Sequence, residues 1–240
     1  MKYTEYHMPK GQYLDGKILK TWAFLHHTAG WESPKQTIDG WALDARGTVA
    51  TEFVLGGLSS KNGNNINDGL MMQAFPSGGY AWHLTLGNTQ MHRESIGLEV
   101  CNFGPLTKGG YYKWNAQTKK NVWIALQVET FYTYVGTPVI ASQVEELEKA
   151  FRGFKYFHKY SDLQIEGMKQ FLWHSVEHEC VDIRKGLPEL IKKIGPFEAF
   201  DLCDVALCEK ERGTWCHTNV QKGKIDLFPQ AEVVQMLLNL

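Results

Sequence analysis

The sequence predicts an α/β domain, on three observations. Short apolar or β-branched runs bounded by Gly, Ser and Asn fill its first hundred residues. Capped, amphipathic runs dominate the later part. Its 240 residues suffice for one large core, or for a core with sizeable insertions. Hydrophobic residues at 43% and charged residues at 21% argue against disorder.

Thr21-Trp22-Ala23-Phe24-Leu25 reads as a buried strand that runs straight into His26-His27-Thr28-Ala29-Gly30. Ser33 then caps a helix with Pro34 at its first position, and Ile38, Trp41, Ala42 and Ala45 follow at helical spacing until Arg46-Gly47 closes it. Residues 48–55, rich in Val and Thr, read as the next strand, ended by Gly56-Gly57. The Ser, Asn, Gly and Lys of residues 59–67 make a loop, and Asp68-Gly69 turns into a strand over 70–75. Residues 95–101 form another strand, and the stretch to Tyr134 gives loop and short strand. Helices are predicted over 144–158 and 162–179, the second with Ile165, Met168, Leu172 and Val176 along one face, and over 187–194 and 232–240.

A formal charge of -1 without a long basic run leaves nothing to bind nucleic acid electrostatically. The start lacks a basic region followed by an apolar stretch, and no apolar run approaches the ~20 residues of a membrane helix. The expectation is a chain made soluble in a cytoplasm, without membrane insertion, its export left to another route. Five cysteines without a regular framework fit reduced thiols, and Cys203 and Cys208 read better as small buried hydrophobes than as ligands of a second metal.

The chemistry concentrates in a few places. His26 ends a buried strand, where a side chain is held rigidly and left open to the following loop. Far along the chain, His217 precedes Lys224 and Asp226, the lysine two residues before the aspartate. Two histidines and one aspartate are a zinc ligand set that leaves a fourth position to water, and zinc lowers the pKa of that water to about 7. Glu99 is a carboxylate in an otherwise apolar strand; alternation puts it on the face of Gly97 and Cys101, opposite Leu98 and Val100. His174 competes with His217 as second ligand, with Cys180 or Asp182 downstream, but it sits mid-helix away from the apolar face and lacks the lysine.

With these residues the chain resembles the zinc N-acetylmuramoyl-L-alanine amidases, the family that includes cell-wall recycling enzymes, phage lysozyme-type amidases and peptidoglycan recognition proteins. The resemblance rests on Phe24-Leu25-His26-His27-Thr28-Ala29, Ala50-Thr51-Glu52-Phe53-Val54, Ala81-Trp82-His83, Ser95-Ile96-Gly97-Leu98-Glu99 and the block from His217 to Asp226, in that order. It implies a central mixed β-sheet flanked by helices, with zinc in a groove at one edge, bound by His26, His217 and Asp226. It further implies Glu99 as catalytic base and Lys224 as the partner of the developing negative charge. His83 would face the muramyl-peptide, with Trp82 and Trp31 offering flat faces to sugar and His27 packing behind.

The substrate implied is peptidoglycan or its muramyl-peptide fragments, cut between N-acetylmuramic acid and L-alanine. The whole chain would be one amidase domain with atypical insertions at about 104–159 and 180–214. Thr51 stands where other members carry a tyrosine, which shifts the catalytic burden to Glu99. A phage lysin and a cellular enzyme both fit, the oligomeric state is open, and two other functions compete: a non-catalytic peptidoglycan-binding module, and a peptidase of the stem peptide.

Overall fold

Five strands assemble the greater part of a central sheet before the chain leaves it. They are β1 (Thr4–Glu5), β2 (Trp22–His27), β3 (Phe53–Leu55), β4 (Met71–Gln73) and β5 (Ser95–Val100). The computed structural model describes residues 1–86, 89–204 and 209–240. Between the sheet strands lie helix α1 (Pro34–Ala42), capped by the Ser33 hydroxyl accepting from the Gln36 amide, and the single turn α2 (Gln90–Arg93). Every residue of β2 is buried, as a strand covered on both faces must be.

The chain then builds a second structure. Strands β6 (Pro105–Lys108), β9 (Phe131–Tyr132), β10 (Pro138–Val139), β11 (Val144–Phe151) and β12 (Phe154–His158) form an antiparallel sheet in the order β10-β9-β6-β12-β11. A hairpin of β7 (Gly110–Asn115) and β8 (Lys120–Ala125) projects from it. The helix expected over 144–158 is therefore a β-hairpin. Leu147 and Phe151 are buried four apart, a spacing that suits one face of a helix and one face of a strand equally. Arg152-Gly153, both at positive φ, decides for the turn.

Helices α3 (Asp162–His178), α4 (Leu187–Ile194) and α5 (Pro196–Ala199) follow, and β13 (Gly213–Cys216) then returns to the central sheet. The turn α6 (His217–Val220) and helix α7 (Ala231–Leu238) complete the order. The sheet runs β1-β4-β3-β5-β2-β13, with β3–β4 antiparallel and the other pairs parallel: a mixed sheet, as expected. Alternation along β3 sends Phe53 and Leu55 into the core beneath α3, and Val54 into the one beneath α1. Helices therefore cover both faces. No helix among the described residues is long and apolar enough to cross a membrane.

Helix α3 buries Gln164, Gly167, Met168, Phe171, Leu172, His174 and Ser175, a face rotated from the one expected, since Val176 is exposed. His174 is accordingly a packing residue, not a solvated one; its ring lies edge-on to Tyr3 and Phe53.

Where the chain passes from β5 to β6, Gly104 has φ +68° and comes so close to the buried His27 ring that a Cβ there would lie 2.5 Å from Nε2. Gly104→Ala is expected to cost about 1–3 kcal/mol through overpacking and a left-handed backbone. Urea unfolding with an unchanged midpoint would contradict that close approach.

Candidate metal centre

Parallel pairing brings together residues that are remote in sequence. Leu25 pairs with Cys216 across β2 and β13, so the next residues, His26 and His217, stand side by side at the strand ends. On the other edge of β2, His26 pairs with Glu99 of β5. His217, His26 and Glu99 thus form one row at the carboxyl ends of three parallel strands, where open α/β sheets place their ligand sites. After α6 the chain turns back, and the Thr218 amide donates to the Asp226 carbonyl at 2.9 Å.

The ligand atoms converge. His26 Nδ1 lies 3.0 Å from His217 Nδ1 and 3.4 Å from Asp226 Oδ2, and His217 Nδ1 lies 3.0 Å from the same oxygen. A tetrahedral ion with bonds of ~2.0–2.1 Å needs donors about 3.3 Å apart, so the three residues fit zinc in spacing as well as in type. Among the described residues this is the one His/Cys/Asp/Glu group found with such spacing. All three are buried, His26 to 1%, His217 to 3% and Asp226 to 7% exposure.

Electrostatics prepare the donors. Burial lowers the pKa of His26 to about 4, which keeps the imidazole neutral, as a metal ligand must be. Burial alone would raise Asp226, but the His217 imidazole bonded to it at 3.0 Å, with His26 close by, outweighs that and holds the carboxyl well below the usual range. The protonation order of His26 follows from its other side. Ser95 Oγ donates to the His92 carbonyl at 3.1 Å, and a carbonyl can only accept. Ser95 Oγ therefore accepts from His83 Nε2 at 2.8 Å, and His83 Nδ1 accepts from His26 Nε2 at 3.0 Å. His26 Nδ1 is left with a bare lone pair, aimed at the cluster.

Glu99, half-buried, has its pKa raised to about 8, first by burial and then by the charge of Asp226, with Lys224 opposing. A carboxyl tuned to that range can take and return protons near neutrality. Glu99, Lys224, His83, Trp82 and Trp31 all line one groove of about 640 Å³ that the three ligands also border. Both nitrogens of His83 are engaged within the protein, leaving its ring edge for a ligand, and Trp82 stacks on His92 with centroids 4.5 Å apart. His27, as expected, packs behind: its Nδ1 meets Tyr160 Oη at 2.7 Å, and Tyr160, Phe228 and Phe157 stack in series. Thr51 is buried, its hydroxyl donating to the Phe53 carbonyl.

His174 does not join the cluster. The Cys203 thiol donates to the Asn219 carbonyl, and Cys208, weighed with it as a second metal ligand, lies outside the described residues. Sequence reasoning passed over Ser95, which had no mark beyond opening a strand. It also missed Trp41 and Arg46, two more residues lining the groove, whose only signal was their place at the end of a helix.

Fold and site together define a mixed α/β protein with a buried two-histidine, one-aspartate centre. No family model and no curated protein matches the chain. Among solved structures, PlyL is similar at a TM-score of 0.33 and 15% identity, over 42% of this chain and 58% of that one. The catalytic domain of XlyA gives 0.32 and 18%, over 42% and 61%. A selenomethionine derivative of AmpD gives 0.41 and 12%, over 98% of this chain and 94% of its own. This chain therefore matches less than two thirds of the length of PlyL and XlyA. At such scores the likenesses carry no weight, and the case for function stands on the chemistry of the site.

The raised pKa of Glu99 has a stability consequence. Between pH 4.5 and about 8 the metal-free folded state holds a proton that the unfolded state releases, so this contribution is full below pH 4.5 and is lost as pH rises through 8. In chelator-treated protein, Glu99→Gln is expected to flatten the fall in stability across that window. Identical pH–stability curves for variant and wild type would refute the assignment.

Proposed function

We propose that the protein is a zinc-dependent amidase that cleaves the bond between N-acetylmuramic acid and L-alanine in peptidoglycan or its muramyl-peptide fragments. The observation that carries this reading is the row of His217, His26 and Glu99 closed by Asp226, three metal donors beside a carboxyl in one groove. The residue-by-residue resemblance of the sequence blocks names the substrate. On this reading the whole chain is one amidase domain, with segments 104–159 and 180–214 as insertions, and it reaches the cell wall once released, as a lysin does.

His26, His217 and Asp226 would hold the zinc, which would supply Lewis acidity, a lowered pKa of about 7 for water and polarisation of a carbonyl. Glu99 takes the proton of the attacking water and later hands it to the departing alanine nitrogen. Negative charge grows on the lactyl carbonyl oxygen, and the Lys224 ammonium, on the wall of the same groove, stabilises it. Trp82, Trp31 and the His83 ring edge form the walls against which the sugar and the first residue of the stem rest.

A binding module of the same fold is the second reading. The intact ligand set disfavours it, as does Glu99, a costly carboxylate to bury for a protein that only holds its ligand. A stem-peptide peptidase would release amino termini other than that of L-alanine.

Glu99→Gln is expected to keep zinc while lowering kcat by about 10²–10⁴-fold, with turnover measured on a muramyl-peptide. Lys224→Ala is expected to lower kcat by about 10²–10³-fold. Product analysis should find a new amino terminus on L-alanine and no new reducing sugar. Full turnover by chelated, metal-free protein would defeat the reading.

A further inference from the structure

Arg152 occupies the first central position of the β11–β12 turn at φ +48°, followed by Gly153 at φ +86°. Two-residue turns of this kind strongly favour Asn before Gly, and a long side chain in the left-handed region is strained there. What the arginine does explains its presence. Its guanidinium reaches from the second sheet to the loop that carries the proposed metal ligands. Nη1 donates to the carbonyls of Gln221 at 3.0 Å, Lys222 at 2.8 Å and Lys224 at 2.5 Å, and Nη2 donates to that of Thr218 at 2.8 Å. Nε and Nη2 complete the set on Asp201 Oδ1, at 2.9 and 2.7 Å. Every nitrogen of the fork is engaged, and the side chain is only 10% exposed.

Asn219 anchors the start of the loop on the carbonyls of Ala199 and Asp201, and the Thr218 amide meets the Asp226 carbonyl at its end, but its middle has little else to shape it. Residues 221–225 join no strand, and the amides of Gln221 and Lys224 bond only locally, to the carbonyls of His217 and Gln221. Four carbonyls that converge on one point would repel one another without a cation among them. The stretch they belong to is bracketed by His217 and Asp226 and includes Lys224.

We propose that Arg152 is a positioning residue, a clamp from the second sheet that fixes the 217–226 loop and so sets the spacing of His217, Asp226 and Lys224. The proposal rests on reading that loop as metal-binding, but its mechanical part does not. The segment between β5 and α3 is then the scaffold that delivers this side chain.

Arg152→Asn separates the two effects, because Asn-Gly is the preferred pair for the turn and keeps the hairpin while deleting the clamp. Hydrogen exchange in metal-free protein is expected to accelerate at least tenfold for the amides of residues 218–226 and to stay unchanged in β2 and β5. Zinc affinity, measured by chelator competition, is expected to fall about tenfold or more. Arg152→Lys should recover only part of each, since one ammonium cannot span four carbonyls. Loop exchange within twofold of wild type overturns the clamp, whatever the zinc affinity; if Arg152→Asn does not fold, the same criterion applies to Arg152→Lys. Accelerated exchange in a protein whose wild type binds no zinc supports the clamp and removes the metal reading alone.

Discussion

The site depends on one constraint, the register in which β2 pairs with a strand on either side. Parallel ladders fix which residues stand abreast, and a slip of one residue would turn His26 to the opposite face. The apolar cores enforce that register. Leu98 and Val100 of β5 and Phe53 and Leu55 of β3 must enter the core beneath α3 for the fold to bury its surface, and Glu99 is thereby turned the other way. Packing thus positions the polar row, although none of its members contributes to the core.

Charge is arranged to suit a dication. Burial keeps His26 neutral, Asp226 remains ionised through its bond to His217, and Glu99 holds a proton until something positive arrives nearby. A buried carboxylate without a cation beside it is otherwise a poor arrangement. The order of protons running from the His92 carbonyl through Ser95 and His83 commits the lone pair of His26 to the same point. Electrostatics and hydrogen bonding therefore agree on where a cation would be welcome.

Much of this is legible in the sequence alone. The strand before His26, the Ser33 cap, the helix over 187–194 and the face of Glu99 all follow from local rules, and the structure has them. The structure also brings His26 to His217 and Asp226, an expectation whose source was resemblance, not spacing. The misreadings have physical causes. Residues 144–158 carry an apolar spacing of four that two periodicities share, so only the turn at Arg152-Gly153 could separate them. His174 shows the converse limit: a polar residue flanking an apolar stripe can be buried by an element far away in sequence, here Tyr3, which no helical wheel displays. Ser95 and Arg152 act through partners 12 and about 70 positions distant, beyond the reach of any local pattern.

The late return of β13 governs how the molecule comes into being. During synthesis β2 has its β5 neighbour early, yet its other edge waits for residues 213–216, leaving a largely apolar strand with unpaired amides and carbonyls exposed to other nascent chains. Closing a loop of that length is slow compared with forming local hairpins. The second sheet, built from near neighbours, can be complete by then, so the last strand docks against a surface already made. Newly made chains would lack the pairing of His26 with His217, and be most prone to clump, until that docking is done.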